Sequence, residues 1–497
     1  MPTVSAFRPS WICLFLIFLG ISLASLGQNN AERPNILLFI VDDMGWTDTS
    51  VPFWKAEVDN NRYFYTPHME RMAAESFVFT QAYSSSPVCS PSRIAMMTGQ
   101  NPMRSGITNW IPGERQEENS KYLLPDWNQE GLTPEHITLP KLLARSGYAT
   151  VHIGKAHFGL EGSAGADPVN LGFSKSYAGT HIGSPATFYP PYVGDNRSWA
   201  IPDLQEYATE GMYLTDAITA VALEVLDSLS QQDAPFFIHL SHYAVHTPIQ
   251  AKEEYVERYR QEGKTETEAK YAAMVQSMDE SLGEVVGKLK DLGMDQNTII
   301  VFASDNGGHV IKAAGSPTGN YPLSGGKGFW YEGGYRVPFM IKVPGAERKR
   351  ISCPTISEDI FSTILAMAKV NVPANHVVDG IDLMSVISEG EGAIRKQPLI
   401  WHYPHYWAGA AIRETEQGIG PFTAIRMGDW KYIYTYDEQQ SFLYHMKEDI
   451  SEQKNLLGEH PEKARELVDV LVLKMKALES KRPIDRETGQ QVPYPGF

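Results

Sequence analysis

The segment from residue 35 to residue 45 reads NILLFIVDDMG, and it decides the expected fold of the chain. Residues 36–41 are an unbroken apolar run rich in β-branched side chains, which is typical of a strand buried on both faces of a parallel sheet. The run ends abruptly in Asp42 and Asp43, followed by Gly45. We therefore expect a central buried strand whose carboxyl end carries two carboxylates.

Short apolar strands alternate with helical patterns along the following part of the chain. Apolar residues three and four positions apart predict helices, and short runs rich in β-branched residues predict strands. This alternation favours an α/β domain with a mostly parallel central sheet flanked by helices. The predicted strands are residues 149–153, 236–240 and 298–303. One predicted helix begins at Pro67, with Thr66 before it, and two others span residues 139–145 and 271–292.

The pattern changes after about residue 385. Residues 424–436 and 441–444 are predicted as antiparallel strands, and residues 461–481 as one amphipathic helix. We therefore expect a large catalytic domain over residues 28–385 and a smaller C-terminal α+β subdomain with an antiparallel sheet over residues 386–497.

An apolar run over residues 11–24 follows Arg8 near the start of the chain. The run is too short to be a convincing membrane span, and Ser25 and Gly27 supply the small residues that a signal peptidase requires. We expect residues 1–27 to be a signal peptide, with an uncleaved signal anchor as the alternative. The predicted location is secreted or periplasmic, with no stable membrane anchor.

Charge and cysteine content argue against several classes of protein. The formal net charge is −16 and no block of Lys or Arg stands out, so nucleic acid is not an expected partner. Cys13 lies in the predicted signal peptide, which leaves Cys89 and Cys353, too few for a disulfide framework. Counting alone permits a bridge between these two residues, but the surroundings of Cys89 argue against it.

Polar side chains follow two of the predicted strands. Asp42 and Asp43 come after the first strand, and Asp305 and Asn306 come after the strand at 298–303. Ligands of open α/β sheets bind beyond the carboxyl ends of the strands. Three carboxylates and an amide form an all-oxygen set of the kind that Ca²⁺ prefers. Taken singly, each pair is also compatible with an ordinary turn.

Cys89 lies at the predicted start of a helix. Ser90 and Pro91 are typical of a helix N-terminus, and Gly99 is typical of a helix end. Free backbone N–H groups and the helix dipole favour an anion at this position, and Arg93 lies one turn further on. A buried structural cysteine or a thiol nucleophile with a histidine base are the alternative interpretations.

Residues 89–93 read CSPSR, which matches the Cys-x-Pro-x-Arg signature of the formylglycine-dependent sulfatases, the alkaline phosphatase-like family that includes arylsulfatase A. The resemblance runs from about residue 32 to residue 460. It departs from the family at Ala156, where Trp is usual, and at His68, where Asn is frequent. Further family-like segments lie in the expected order along the chain, one before the signature at residues 33–45 and four after it at residues 154–159, 244–248, 304–307 and 326–338.

The resemblance implies an alkaline phosphatase/sulfatase-like fold and an enzyme that hydrolyses sulfate monoesters. It implies that a formylglycine-generating enzyme oxidises Cys89 to formylglycine, whose hydrated form attacks the sulfate ester and then releases sulfate by C–O cleavage. One Ca²⁺ ion is expected to be held by Asp42, Asp43, Asp305 and Asn306, with modified residue 89 as a further ligand.

The resemblance also implies catalytic roles for five other residues. Arg93, Lys155 and Lys327 are expected to supply fixed positive charge around the transferring group. His246 is the candidate acid for the leaving oxygen, and His157 is the candidate base for release of sulfate. The two histidine roles are interchangeable on sequence evidence. The alternatives without a catalytic role are that Lys155 and Lys327 are solvated loop residues and that His157 is a core histidine.

The rest of the substrate is expected to meet two polar, aromatic loops at residues 180–185 and 401–407, where loop packing is an equal alternative. Aromatic rings beside hydrogen-bonding side chains, together with export, favour a sulfated carbohydrate as substrate. The candidate substrate-binding residues are His181, Ser184, His402 and His405.

Two rival functions remain open at this point. A phosphomonoesterase or phosphonate monoester hydrolase would share the fold and the metal chemistry, but related two-metal enzymes need extra Asp and His ligands where Lys155 and Lys327 are expected. A secreted sulfate- or glycan-binding protein with an inactive site would require that Cys89 is never converted.

Overall fold

A computed structural model of the chain describes residues 1–2, 33–113, 121–195, 199–208, 212–261, 263–310, 320–390, 393–407 and 417–496. The predicted signal peptide, apart from its first two residues, lies outside these ranges. Within them, no helix combines the length and the apolar composition that crossing a membrane requires.

Sixteen strands are numbered here in chain order over the described residues. They are β1 (Asn35–Val41), β2 (Phe77–Phe79), β3 (Ala82–Tyr83), β4 (Tyr122–Leu123), β5 (Ala149–Gly154), β6 (Lys175–Tyr177), β7 (Phe236–Ser241), β8 (Thr298–Ser304), β9 (Phe339–Lys342), β10 (Lys349–Ile351), β11 (Thr355–Ile356), β12 (Leu399–Tyr403), β13 (Phe422–Met427), β14 (Trp430–Thr435), β15 (Gln440–His445) and β16 (Ile484–Asp485).

Twelve α-helices are numbered in the same way over the described residues. They are α1 (Asp59–Tyr63), α2 (Pro67–Ala73), α3 (Cys89–Thr98), α4 (Pro102–Ser105), α5 (Leu139–Arg145), α6 (Leu214–Leu229), α7 (Glu253–Tyr259), α8 (Glu266–Asp291), α9 (Glu332–Tyr335), α10 (Glu358–Met367), α11 (Leu383–Glu389) and α12 (Pro461–Ala477).

The largest sheet has eight strands in the order β10-β2-β9-β8-β1-β7-β5-β6. β1 pairs in parallel with β8 on one side and with β7 on the other, and β5 extends the parallel arrangement beyond β7. β9 runs antiparallel to both of its neighbours, β8 and β2. The mixed, mostly parallel sheet flanked by helices confirms the predicted fold class.

β1 is buried on both faces, as its apolar run predicts. Leu37, Phe39 and Val41 pack into a core with α2, α6 and α8. The alternate residues Ile36 and Ile40 pack into a second core with α3, α5 and α10. Because successive strand residues point to opposite faces, a continuous apolar run is needed to fill two helix-covered layers at once.

A second, four-stranded antiparallel sheet has the order β12-β13-β14-β15. One face packs against α12 through residues such as Tyr432 and Leu467. The other face carries Trp401 and Phe422 and packs against Val88, the residue before α3. The antiparallel sheet therefore supports the start of the helix that carries Cys89.

Most of the predicted elements are present, and three of them differ from the prediction by more than one residue at an end. Residues 424–436 are two strands, because a two-residue turn at Gly428 and Asp429 reverses the chain. The helix predicted at 271–292 begins at Glu266, because Thr265 and Glu268 form a capping box. The helix predicted at 461–481 ends at Ala477.

The carboxyl end of β5 requires a glycine. Gly154 has φ +96, in the left-handed region, and a Cβ atom there would lie 1.9 Å from the carbonyl oxygen of Ser241 on β7. The same carbonyl accepts a hydrogen bond of 2.7 Å from the backbone N–H of Lys155. Close approach of two strands at this point therefore directs Lys155.

We expect Gly154→Ala to lower the free energy of unfolding by about 2 kcal/mol or more, since backbone strain and a steric clash coincide. Thermal and denaturant unfolding would measure the loss. The matched control is Gly287→Ala, inside α8 with open space around the new methyl group, which we expect to stabilise by up to about 1 kcal/mol. Equal stability of the two variants would contradict this account of Gly154.

Candidate active site

The site lies where the four central parallel strands end. Asp42 follows β1, Asp305 follows β8, Lys155 follows β5 and His242 follows β7. The strand pairing aligns these ends, because Val41 pairs with Ser304, and Ser241 pairs with both Ile40 and Gly154. Residues from four distant parts of the sequence therefore meet at one edge of the sheet.

Three carboxylates and three cationic side chains are buried together at this edge. Each carboxylate has its own cation, so the charges of these six side chains balance. The pairs are Lys155 Nζ with Asp42 Oδ2 at 2.7 Å, Arg93 Nε with Asp305 Oδ2 at 2.7 Å, and Lys327 Nζ with Asp43 Oδ1 at 2.6 Å.

The crowding affects the carboxylates differently. Burial, with Asp305 and Asp43 nearby, raises the pKa of Asp42 well above its usual value despite the opposing effect of Lys155. Burial acts in the same direction on Asp43, but Lys327 and His246 outweigh it and hold the pKa of that carboxyl below its usual value. The fixed charges of the cluster thus decide which carboxylate is most readily ionised.

The donor atoms of the cluster fit a hard divalent cation. Ligand atoms of Asp42, Cys89 and Asp305 lie within 4.8 Å of one another, and so do those of Asp43, Cys89 and His246. Asn306 donates from Nδ2 to Asp43 Oδ1 at 2.8 Å, while its buried Oδ1 has no hydrogen-bond partner among the described residues. An orphan amide oxygen beside carboxylates suits Ca²⁺ better than zinc.

Cys89 is the first residue of α3, whose N-cap, Val88, provides no side-chain cap for the free N–H groups. Its Sγ lies 3.9 Å from Asp42 Oδ1, and it forms no disulfide with Cys353, since both thiols are free. Burial raises the pKa of the Cys89 thiol to about 11. The side chain therefore lies at an anion-binding helix terminus but is a poor thiolate nucleophile as it stands.

Arg93 locks the cluster together from α3. Besides the ion pair with Asp305, its Nη1 donates to the carbonyl oxygen of Lys155 at 3.0 Å and to Ser241 Oγ at 2.6 Å. Its Nη2 lies 3.6 Å from Asp42 Oδ1 and is buried without a hydrogen-bond partner among the described residues. The guanidinium group therefore hydrogen-bonds to groups at three strand ends, and its Nη2 makes no hydrogen bond among the described residues.

The two candidate histidines lie on different sides of this cluster. His157 is buried, and its Nε2 is 2.5 Å from the carbonyl oxygen of Ile111, while Nδ1 has no partner among the described residues. His246 is 16% exposed, with Nε2 3.4 Å from Asp43 Oδ2 and Nδ1 3.0 Å from the Thr247 carbonyl oxygen. Burial and the charge of Lys155 lower the pKa of His157 well below its usual value, which favours a neutral ring with a free Nδ1 lone pair.

The loop at residues 180–185 lies beside both histidines. Its Gly183 lies against the ring of His157, and Ser184 Oγ donates to the carbonyl oxygen of Thr247 at 2.8 Å. His181 is one-third exposed, with Nε2 4.0 Å from a carboxylate oxygen of Glu161. The structure therefore places His181 and Ser184 at the rim of the cluster.

The structure does not bring His402 and His405 to the cluster. Both side chains are buried, and their Nε2 atoms bond the carbonyl oxygen of Lys481 at 2.8 Å and Thr108 Oγ1 at 2.8 Å. Trp401 and Tyr403 face the antiparallel-sheet core, so strand alternation turns His402 the other way. We therefore do not retain these two histidines as substrate ligands.

Two residues that are not among the individually predicted site residues complete the site. Trp407 lies with its ring centroid 5.3 Å from Lys327 Nζ, so one aromatic residue of the 401–407 loop does reach the cluster. Ser241, at the end of β7, bonds Arg93. The only sequence signal was their position, at the end of a predicted strand or in an aromatic loop.

The segment that carries Lys327 is held in place by the antiparallel sheet. Glu332, five residues further on, accepts from Lys431 Nζ at 3.1 Å, and Lys431 also bonds Glu452 at 2.6 Å. Arg336 bonds the same Glu332 at 3.2 Å. Because all four side chains are buried, this network fixes the segment after Lys327 rigidly.

The family described as Sulfatase matches residues 34–370 of the chain. This chain belongs to the sulfatase family. A second family, described as N-sulphoglucosamine sulphohydrolase, C-terminal, matches residues 325–481. The enzyme is therefore a sulfuric ester hydrolase, as its sequence motifs imply.

Relatives of the enzyme cover most of its length. N-acetylgalactosamine-6-sulfatase of Canis lupus familiaris is 32% identical over 408 residues, covering 78% of this chain and 72% of the relative. A sulfatase of Formosa agariphila is 28% identical, covering 98% and 97%. The solved structure of Ps i-CgsB in complex with k-i-k-neocarrahexaose has a TM-score of 0.72 and 27% identity, covering 93% of this chain and 95% of that one.

Ca²⁺ is expected to raise the melting temperature of this sulfatase, because a cation held by the folded carboxylate cluster would lose these ligands in the unfolded chain. We expect Asn306→Ala to weaken Ca²⁺ affinity by about tenfold or more, measured by the Ca²⁺ dependence of the melting temperature. Asn306 would otherwise offer its unpaired Oδ1 and hold Asp43.

The control is Asn101→Ala, which removes the N-cap of α4 and bonds to Glu358 and Ile400. It should lower the melting temperature without Ca²⁺ but leave the Ca²⁺-dependent rise intact. If Asn306→Ala shows the same Ca²⁺ dependence as the unsubstituted protein, Asn306 is not a ligand.

Proposed function

We propose that this sulfatase hydrolyses sulfate esters of a sulfated carbohydrate, using Ca²⁺ and a formylglycine formed from Cys89. One observation carries the proposal: Cys89 begins α3 with its Sγ among the donor atoms of Asp42, Asp305, Asp43 and His246, within 4.8 Å in each group. A nucleophile at residue 89 would thus stand beside the cation site and the positive end of a helix at once.

The charge balance of the cluster suits a sulfate ester. Asp42, Asp43, Asp305 and Asn306 would hold Ca²⁺, which on binding neutralises sulfate oxygens and lowers the pKa of an attacking hydroxyl group. The six charged side chains cancel one another, so a divalent cation leaves the site net positive. A singly charged sulfate ester is then attracted, whereas the acidic protein as a whole repels it.

The modification explains why a buried cysteine is useful here. A formylglycine at this position supplies a hydrated aldehyde as the nucleophile, in place of a thiol that burial keeps protonated. Arg93 and Lys155 are held at the strand ends, and Lys327 is held by the Glu332 network, so their positive charges need no rearrangement when the sulfuryl group moves.

The histidine geometry supports distinct proton-transfer roles. The short contact of His157 Nε2 with a carbonyl oxygen requires that Nε2 carries the proton, which leaves Nδ1 free to accept one. His246 is the more exposed ring, with its Nε2 facing the Asp43 carboxylate. Burial and the charge of Lys327 lower the pKa of His246 to about 3, and Asp43 opposes this shift. We assign His157 as the base and His246 as the acid for the leaving oxygen.

A carbohydrate substrate is supported by the relatives and by the rim of the site. N-acetylgalactosamine-6-sulfatase is named for a sulfated sugar, and the Ps i-CgsB complex contains a carrahexaose. Trp407 beside Lys327 would offer an aromatic face to a sugar ring, and His181 and Ser184 would offer hydrogen-bonding groups. The apolar N-terminal run supports export as a secreted or periplasmic protein of polysaccharide degradation, with a maturation enzyme as partner.

The tryptic peptide containing Cys89 is expected to be about 18 Da lighter than its sequence mass, since conversion of the thiol to an aldehyde activates an otherwise weak nucleophile. Protein produced with a maturation enzyme, or in its own host, would be measured by mass spectrometry. The same material should hydrolyse sulfate monoesters far faster than phosphate monoesters.

An unmodified thiol in protein that still hydrolyses sulfate esters would overturn the formylglycine proposal. A preference for phosphate over sulfate monoesters would instead favour the phosphoester hydrolase alternative. Cys89→Ala serves as the control, because it should lose sulfatase activity without the large loss of stability that a core residue would show.

We expect His246→Ala to slow the hydrolysis of alkyl and sugar sulfates by about 10²-fold or more. Hydrolysis of aryl sulfates with a good leaving group should slow much less. A good leaving group departs without a proton, so the loss of a general acid matters little for it. Steady-state rates of 4-nitrophenyl sulfate and a sugar sulfate would be compared for each variant.

His157→Ala is the matched control, since loss of a base after the leaving group has departed should slow both substrates alike. If His246→Ala slowed hydrolysis of 4-nitrophenyl sulfate and of the sugar sulfate by the same factor, His246 would not be the acid. The opposite pattern, with His157→Ala selective for poor leaving groups, would exchange the two roles.

A further inference from the structure

A second cavity lies away from the catalytic cluster, between the ends of β2 and β10 and the antiparallel sheet. Its volume is about 810 Å³, within the usual range for ligand pockets. None of the six buried charged residues of the catalytic cluster lines it. Its cationic lining residues are Lys55, Arg336, Arg350, Arg395, Arg426 and Lys447, against the carboxylates of Asp429 and Glu448.

Several of these cations lack a carboxylate partner. Arg350 donates from Nη2 only to neutral oxygens, the carbonyls of Pro52 at 2.9 Å and Trp54 at 2.7 Å. Lys55 and Lys447 are exposed and form no ion pair with a carboxylate of the described residues. The lining therefore carries positive charge that the protein itself leaves uncompensated.

Arg426 adds to this charge from the buried side. Its guanidinium group bonds the neutral oxygens of Gly428, Gln81 and Tyr83. Its closest carboxylate contact is with Asp429 at 4.0 Å. Arg336 and Arg395, by contrast, form ion pairs with Glu332 and Asp359. These two arginines line the cavity but add little net positive charge to it.

The cavity continues along the edge strand β10. Arg350 also lines a smaller cavity of about 490 Å³, together with Arg348 and Lys349, and Arg348 in turn lines a third cavity of about 760 Å³. Because neighbouring cavities share Arg350 or Arg348, the three cavities lie next to one another along the sheet edge, and we call this surface the β10 groove. Arg348, Lys349 and Arg350 are thus three consecutive basic residues that border the β10 groove, in a chain of net charge −16.

One end of the β10 groove opens at the edge of the sheet that carries the catalytic cluster. β2 and β8 are both antiparallel to β9, and β10 runs parallel to β2. Because β8 is parallel to β1, the strands β2, β8 and β10 all point the same way as β1. Gln81, after β2, and Ser352, after β10, line the 810 Å³ cavity. The groove therefore begins at the catalytic edge and runs toward the opposite one, where Gln296, just before β8, lines the third cavity.

We propose that the β10 groove is a secondary binding site for a sulfated polysaccharide chain, separate from the catalytic cluster. The inference rests on the proposed function only in taking a sulfated carbohydrate as the ligand. A recessed, elongated channel with spaced cations fits a thin, flexible polyanion whose sulfate groups repeat along its length. It does not fit a membrane, because a flat anionic surface cannot enter a recess.

The consequence is retention of a polymeric substrate near the active site. An acidic protein repels a polyanion at long range, and a local row of cations offsets this repulsion. Binding of a second segment of the same chain raises the effective concentration of sulfate esters at the cluster. Small monomeric sulfate esters gain nothing from it.

The test uses the exposed residues Lys55 and Lys447, whose reversal spares the buried guanidinium groups. We expect Lys55→Glu with Lys447→Glu, in a Cys89→Ala background that prevents turnover, to weaken binding of dextran sulfate by about tenfold or more at low salt. The salt dependence of binding should become shallower by about one to two in log–log slope. The control pair, Lys175→Glu on β6 and Lys474→Glu on α12, makes the same change in net charge at exposed sites outside the groove and should change affinity less than twofold.

Kinetics in the Cys89-containing enzyme separate this inference from the proposed function. With Lys55→Glu and Lys447→Glu, KM for a sulfated polysaccharide should rise while kcat/KM for 4-nitrophenyl sulfate stays unchanged. Equal dextran sulfate affinity in the groove and control variants would overturn the groove, even in an active sulfatase. Groove-dependent binding in a protein that contains formylglycine at residue 89 but has no sulfatase activity would uphold the groove and overturn the proposed function.

Two further ligands test the choice of polyanion. Unsulfated dextran should not bind, and anionic phosphatidylglycerol vesicles should bind no better to the groove than to the control variant. Single-stranded DNA that binds as tightly as dextran sulfate of similar charge, and with the same dependence on Lys55 and Lys447, would overturn the assignment to a sulfated glycan.

Discussion

The mutual neutralisation of three buried carboxylates and three buried cations is the constraint on which the rest of the structure depends. An unpaired charge at this depth costs several kcal/mol, so each member needs its partner in place. The partners come from segments far apart in the chain, such as Asp43 and Lys327, separated by 284 positions. Only the parallel alignment of β8, β1, β7 and β5, with α3 packed across their ends, brings them together.

The antiparallel sheet extends this constraint beyond the α/β layer. Lys431 on β14 bonds Glu332, and Arg426 on β13 bonds Tyr83. Two buried cations of the small sheet thus hold the segment before Cys89 and the segment after Lys327. Its core also packs against Val88, directly before Cys89. The small sheet is thus part of the machinery that positions the cluster, while contributing none of its six charged side chains.

Three polar groups at the catalytic cluster are left unsatisfied among the described residues. Arg93 Nη2, Asn306 Oδ1 and His157 Nδ1 are each buried without a hydrogen-bond partner there. A buried unsatisfied polar atom costs about 1–3 kcal/mol. His157 and Asp43 also have positive φ, a strained backbone for residues other than glycine. A cation and a substrate bound at this cluster would recover these costs.

The sequence by itself determined the elements and the chemistry whose signals are local. The apolar run of β1, the helix start at Cys89 and the oxygen donors after two strands each lie within about ten residues, and the family motifs follow the same order. The sequence could not show which way His402 points, because alternate residues of a strand face opposite sides and only the neighbouring layers decide which side is the site. The contact of Trp407 with Lys327, the pairing of each carboxylate with its own cation and the groove along β10 were likewise decided by tertiary structure. Each depends on which distant segments pack together, and no local pattern encodes that.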